Sequence, residues 1–253
     1  MHMDTGFRPS KHGFGFPNAW HDLVLGVIAS RGRCGGMVFA ALDRFGAGAP
    51  LEPAEQARAL PDHGSPLAHH IWRRQVDSIV TRLGGNLWRF VLLTYLPSHA
   101  PEGSAGTRQR ELPLVLAALE LGQPVPLGLV SGLSVRHLAQ NHQVLAYAAD
   151  VEGGLARIRI YDPNFPRRDD VVLEVPIAGV GPVTERAGAR AIPWRGFFVE
   201  RYTPAPVRGG VAQTRALQVA GQPEPRASSG AVAMLAAAGA AAAGVLLLRR
   251  RRR

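Results

Sequence analysis

Cys34 is the one cysteine of the chain, and it stands in Gly32-Arg33-Cys34-Gly35-Gly36-Met37. Apolar residues at Val38, Ala41, Leu42 and Phe45 follow at helical spacing, which predicts a helix over 34–45 ended by Gly46 and Gly48. The thiol therefore sits at a helix N-terminus, where unpaired N–H groups and the helix dipole favour a thiolate. Gly35 and Gly36 leave the first turn uncluttered, so that a substrate could approach the sulfur. The competing reading is an inert packing cysteine, since free Cys is among the most buried residue types. A base for such a thiol is offered by His142, which opens a strand in Asn141-His142-Gln143. If 150–154 form a five-residue hairpin loop, Ala149 pairs with Leu155 and His142 faces Asp162 of Tyr161-Asp162-Pro163-Asn164. Opposed residues point to one face with Cα atoms about 4.5–5.5 Å apart. A carboxylate placed there can orient an imidazole. Asn164 is the diagonal alternative, and Asp-Pro-Asn is also a strand-ending turn. A one-residue slip would put Asp162 on the other face.

The elements that must hold these groups fall into two halves. Ser65-Pro66 starts a second helix, with Leu67, Ile71, Val76, Ile79, Val80 and Leu83 on one face and Gly84-Gly85 as its stop. A third helix is expected over 112–121, with Pro113 in its first turn. The period then changes to short segments rich in Val, Ile, Leu, Phe and Tyr: 125–130, 142–149, 155–161, 171–175 and 196–202. Helices first and strands later predict an α+β fold, the helical half packed on an antiparallel sheet.

The order Cys34, His142, Asp162, with helices before an antiparallel sheet, resembles the papain-like cysteine peptidase superfamily. It is similar to branches whose histidine strand is followed by one ending in Asp-Pro, as in peptidases that trim bacteriocin leaders. The blocks Cys34-Gly35-Gly36-Met37, His142-Gln143-Val144-Leu145-Ala146-Tyr147 and Tyr161-Asp162-Pro163-Asn164 also look like an uncharacterised bacterial group within that fold. The resemblance covers roughly residues 14–203. It implies that Cys34 attacks an acyl carbon of a peptide or amide and that His142 shuttles the proton. Asp162 would orient His142, with Asn164 as second candidate, and the Cys34 N–H would be one oxyanion donor. The family's glutamine six residues before the cysteine is replaced by Ile28, and Asn18 is the nearest upstream amide. A silent, binding-only member of the fold is the rival reading, and a surface or envelope protein that matters through its tail is another.

Composition bounds the remainder. The net charge of +10 comes from 29 basic against 19 acidic residues, and the last five residues are all arginine. Without them 24 face 19, so the body is only mildly basic. His69-His70 are adjacent and point in different directions on a helix, which argues against a metal pair. Arg73, Arg74 and Arg82 lack aromatic interleaving or a groove motif, which argues against nucleic acid. No phosphate loop and no cofactor is expected. The body is expected over 1–205, a Pro/Gly/Gln linker over 206–229, a transmembrane helix over 230–248 and a basic tail over 249–253. The span is 19 residues without a charge, roughly 28 Å as a helix. Pro223-Glu224-Pro225, the apolar run and the arginine cluster resemble the PEP-CTERM sorting signal, which implies a sorting protease as a partner of the tail. The positive-inside rule keeps the arginines in the cytoplasm, whereas 1–36 show no apolar signal-peptide region, so the side of the body stays open. In cells, carbonate washing is expected to leave the full-length chain in the membrane fraction; release into the wash would remove the spanning helix.

Overall fold

The sheet is built outward from the hairpin that carries His142. A computed structural model describes residues 1–24, 28–95, 104–132, 140–178 and 181–207. Its elements are β1 (His2–Asp4), α1 (Pro9–His12), β2 (His21–Val24), β3 (Ile28–Arg31), α2 (Cys34–Gly46), α3 (Pro53–Gln56), α4 (Pro66–Tyr95), α5 (Ser104–Gly106), a π-turn at Thr107–Glu111, α6 (Leu112–Glu120), β4 (Val125–Val130), β5 (His142–Glu152), β6 (Leu155–Tyr161), β7 (Val172–Pro176), β8 (Val183–Ala187), β9 (Arg190–Trp194) and β10 (Gly196–Val199). The fold is α+β. Eight strands form one curled antiparallel sheet in the order β10-β4-β5-β6-β7-β8-β9, with β1 added on β5. β2 and β3 form a separate hairpin immediately before α2.

Two expected boundaries move. α4 runs through Gly84-Gly85 to Tyr95 instead of stopping there. Interior glycines cost about 1 kcal/mol each relative to alanine, and tertiary contacts beyond them outweigh that. Asn86 is fully buried and exchanges two bonds with the Arg201 backbone, while Phe90 packs edge-on against Phe198. The last strand ends at Val199 rather than 202, because the chain beyond it leaves the sheet for α2 and α4. There Tyr202 Oη and the Ala205 N–H bind Asp43 Oδ1, and Arg74 donates to the Thr203 carbonyl. The expected transmembrane span and tail lie outside the described residues, as does nearly all of the linker. Among the described residues no helix is long and apolar enough to cross a membrane.

The hairpin register also differs from expectation. Glu152 pairs with Leu155, so the turn is two residues, Gly153-Gly154, and not the five-residue loop 150–154. Both glycines have positive φ, +56° and +77°, which a two-residue hairpin turn of this hand needs. Carried straight along β5 and β6, this register would set Asp162 opposite Leu145, on the face away from His142. A β-bulge intervenes: Ala146 pairs with Ile160 but Ala148 with Arg159, leaving Tyr147 unmatched. Beyond the bulge Leu145 pairs with Tyr161, the last residue of β6, and this register carried one step further sets Asp162 opposite Val144. Asp162 then shares a face with His142, and the position opposite His142 falls to Asn164. Opposed and diagonal roles are exchanged relative to the expectation. The bulge sits where the other edge of β5 changes partner from β4, paired at 142–146, to β1, paired at 148–150. The Tyr147 carbonyl there accepts from the Thr5 N–H and hydroxyl.

The main core fills the space between α2 and the β5–β6 face. It contains Phe7, Phe14, Phe16, Trp20, Met37, Phe39, Ile71, Tyr147 and Tyr161. Gly35 and Gly36 have a different purpose from open access to the sulfur. A Cβ on Gly36 would run into the Ile71 carbonyl of α4, and one on Gly35 into Gln143 Oε1 and Ser78 Oγ. The glycines let α2 lie directly against α4 and β5. Gly36→Ala is therefore expected to cost about 1–3 kcal/mol in urea denaturation. Gly46→Ala, where nothing lies within 4 Å of the added carbon, should be neutral or stabilise by up to about 1 kcal/mol.

Candidate functional site

Cys34 is the first residue of α2 and is partly exposed. Arg33 before it fixes where the helix starts. Its guanidinium donates Nε and Nη2 to Asp22 at 2.7 and 2.9 Å and Nη1 to the Ala68 carbonyl at 2.7 Å. It lies over the rings of both Trp20 and Trp72, 4.9 and 5.3 Å from their centroids. The Arg33 N–H donates to Asn18 Oδ1 at 2.5 Å. Gly32 turns the chain into the helix with φ +108°, and a side chain there would strike the Asn18 amide. Asn18 reaches the other half of the site too, through Nδ2 to Asn164 Oδ1 at 3.3 Å and its N–H to the Pro163 carbonyl at 3.0 Å. One asparagine thus ties the start of the cysteine helix to the turn that holds Asp162.

His142 Nε2 lies 2.7 Å from Asp162 Oδ1 and 3.1 Å from Asn164 Nδ2. Both His142 and Asp162 are buried. Burial pushes the imidazole down, but the Asp162 charge and then Cys34, which interacts by charge and by hydrogen bonding, hold it well above 6.5. Burial likewise pushes Asp162 up; the His142 charge, the bonds from His142 and Glu185 and the Asn164 N–H bring it below the usual carboxylate value. Nε2–H directed at Asp162 leaves Nδ1 as the nitrogen that can exchange a proton with the thiol. The structure thus brings Cys34, His142, Asp162 and Asn164 into one cluster.

Beneath the first turn of α2 lies a buried polar layer. Gln143 Oε1 is 4.0 Å from the Cys34 sulfur and 3.3 Å from both Ser78 Oγ and Gln75 Nε2. Gln75 Oε1 accepts the Gly36 N–H at 2.9 Å, one of the helix donors left over at an N-terminus. Gln143 Nε2 donates to Glu200 Oε1 at 2.7 Å. Glu200 is buried, and desolvation pushes its carboxyl up to about 8 despite that bond. Two more residues back the histidine from β8 and β9. Trp194 stacks on His142 with centroids 6.2 Å apart and planes at 17°, and its Nε1 donates to Glu185 Oε2 at 2.8 Å. Among the described residues no group of three His, Cys, Asp or Glu side chains is placed to hold a metal ion.

Sequence reasoning missed Gln143, Glu185, Trp194 and Glu200. The signal for Glu185 was available: Val183, Glu185 and Ala187 alternate inward along β8, so a glutamate occupies a core position. No family model, no curated protein and no solved structure matches the chain.

A raised carboxyl means that the native state keeps a proton which the unfolded chain releases near 4.5. Stability then falls as pH rises from about 4.5 to about 8, by about 1.4 kcal/mol per pH unit for each such group. Glu185 and Glu200, both pushed up to about 8, act in this direction. His142 adds to it, since its raised value stabilises fully below 6.5 and loses that as pH climbs through the native value. Asp162 acts oppositely, losing its contribution as pH falls below 3.8. Urea denaturation between pH 5 and 8 should show falling stability, and Glu200→Gln should remove one group's share of that slope.

Proposed function

We propose that this chain is a papain-like thiol hydrolase or acyltransferase acting on a peptide or amide. The observation that supports it is the buried His142–Asp162 pair at 2.7 Å, whose imidazole also interacts with the sulfur at the N-terminus of α2. In this reading the Cys34 thiol passes its proton to His142, and the sulfur bonds the acyl carbon. The carbon–nitrogen bond breaks, and the imidazolium gives its proton to the departing amine, leaving a thioester on Cys34. Water attacks the thioester, His142 takes one proton of the water and returns it to the sulfur, and a carboxylic acid leaves and loses its remaining proton to solvent. An amine in place of water makes the same sequence an acyl transfer. Asp162 holds the ring in the needed tautomer and stabilises its charged form. The Cys34 N–H at the helix start supplies one donor for the oxyanion.

Attachment to a membrane through 230–248, with a sorting protease acting on the tail, belongs to the same proposal. It rests on the uncharged run and the flanking arginines of the sequence. A second reading, a binding module of this fold without turnover, is favoured by one observation. The amides near the sulfur are already engaged: Asn18 with Arg33 and Asn164, Gln143 with Glu200. With Ile28 at the family's glutamine position, a missing side-chain donor costs about 10²–10³ in rate.

Iodoacetamide alkylation of Cys34 in the full-length protein separates the two. The enzyme reading expects His142→Ala to slow alkylation at pH 6 at least about tenfold, because the cation that favours the thiolate is gone. Asp162→Ala should slow it in the same direction. A rate indifferent to His142 leaves the binding module.

A further inference from the structure

Glu185 lies on β8 and is 1% exposed. Its neighbours across the sheet are apolar, Leu173 on β7 and Ile192 on β9. Its Oε2 accepts the Trp194 indole N–H at 2.8 Å. Its Oε1 is buried and receives no donor among the described residues. The Asp162 carboxyl is its charged neighbour, near enough for the two groups to interact by charge and, once one of them carries a proton, by a hydrogen bond. Two ionised carboxylates have no proton to share and repel, so a bond between them requires one to be protonated.

Which one holds the proton follows from the partners. Asp162 Oδ1 already accepts from His142 Nε2 and from the Asn164 N–H, both at 2.7 Å, and these bonds favour an anion. Glu185 has one indole donor and an otherwise apolar setting. We propose that Glu185 is a neutral carboxylic acid that donates its proton to Asp162 and thereby positions the Asp162–His142 pair, a role that rests on the thiol chemistry read above.

The charged groups facing Glu185 are Asp162 from the turn after β6 and His142 from β5; Trp194 of β9 is a neutral donor, and Cys34 of α2 reaches it only through His142. Burial first, then the Asp162 charge and hydrogen bond, push Glu185 up to about 8. Below that pH a donor faces Asp162. Above it the donor becomes a second anion, and the bond that braces the pair is lost. The same change puts Trp194, stacked on His142 at 6.2 Å, beside a new charge. Asp162, His142, Glu185 and Trp194 respond together.

Two measurements on the full-length protein test this. The infrared difference between wild type and Glu185→Gln should show a protonated carboxylic acid band, separate from that of Glu200 and bleached with a midpoint near 8. If no Glu185-dependent band exists, or if it titrates near the ordinary 4.5, the neutral acid is excluded whatever Cys34 does. The second is the pH profile of Cys34 alkylation. Glu185→Ala should slow it about tenfold at pH 6–7, the scale of one hydrogen bond to a charged group. Glu185→Gln, which still offers an N–H donor but cannot ionise, should recover most of that loss and abolish the change near 8. Equal profiles for folded Glu185→Ala and wild type, or no recovery in Glu185→Gln, overturn the positioning role. Alkylation indifferent to His142→Ala, with the infrared band intact, would instead remove the thiol chemistry and the positioning role while leaving the acid in place.

Discussion

A strand has two faces, and the site depends on which of them His142 and Asp162 share. The hairpin turn at Gly153-Gly154 starts the pairing with the wrong parity. The single unmatched residue, Tyr147, corrects it. The correction is secured from three directions. The Tyr147 carbonyl accepts from Thr5, its hydroxyl donates to the Asp169 carbonyl, and its ring is buried in the core beside Phe7. The N-terminal segment is thus part of what sets the register, although it is far from His142 in the chain.

The second constraint is desolvation. His142, Gln143, Asp162, Glu185 and Glu200 are all buried within one region. Isolated charges there would be costly, and the molecule lowers the cost in two ways. Opposite charges pair at 2.7 Å in His142–Asp162, and burial pushes Glu185 and Glu200, which no cation directly bonds, toward the neutral form. Glycine supplies the third ingredient, proximity. Without Cβ atoms at 35 and 36 the first turn of α2 can lie close enough for Gln75 and Gln143 to take its polar groups.

The division into helices and then strands was legible because the hydrophobic period changes near 125, and the starts of α2, β4, β5 and β6 fall where the pattern puts them. The stop at Gly84-Gly85 was misread because local propensity cannot register Asn86 and Phe90, whose burial carries α4 onward. The two-residue turn was available in Gly153-Gly154 itself. The bulge was not: nothing in Ala146-Tyr147-Ala148 announces an extra residue, since its cause is the change of neighbour from β4 to β1. The His142–Asp162 pairing was inferred with the parity right and the register displaced, which is why Asn164 and Asp162 exchange places. Glu185 could be read from the alternation of Val183, Glu185 and Ala187 along β8, whereas Trp194 lay beyond pattern reasoning because exposed Arg190 and Pro193 obscure β9.

The ion pair of Asp43 on α2 with Arg74 on α4, 2.8 Å apart, also grips the chain at Thr203 and Ala205, close to the last described residue. Any pull on the polypeptide beyond Ala205 therefore meets the two helices before it meets the sheet. The load path enters through Asp43, in the third turn of the helix whose first residue is Cys34. The strands that carry His142 and Glu185 lie off that path, so a force applied beyond Ala205 reaches the helices before the pairing whose register matters most.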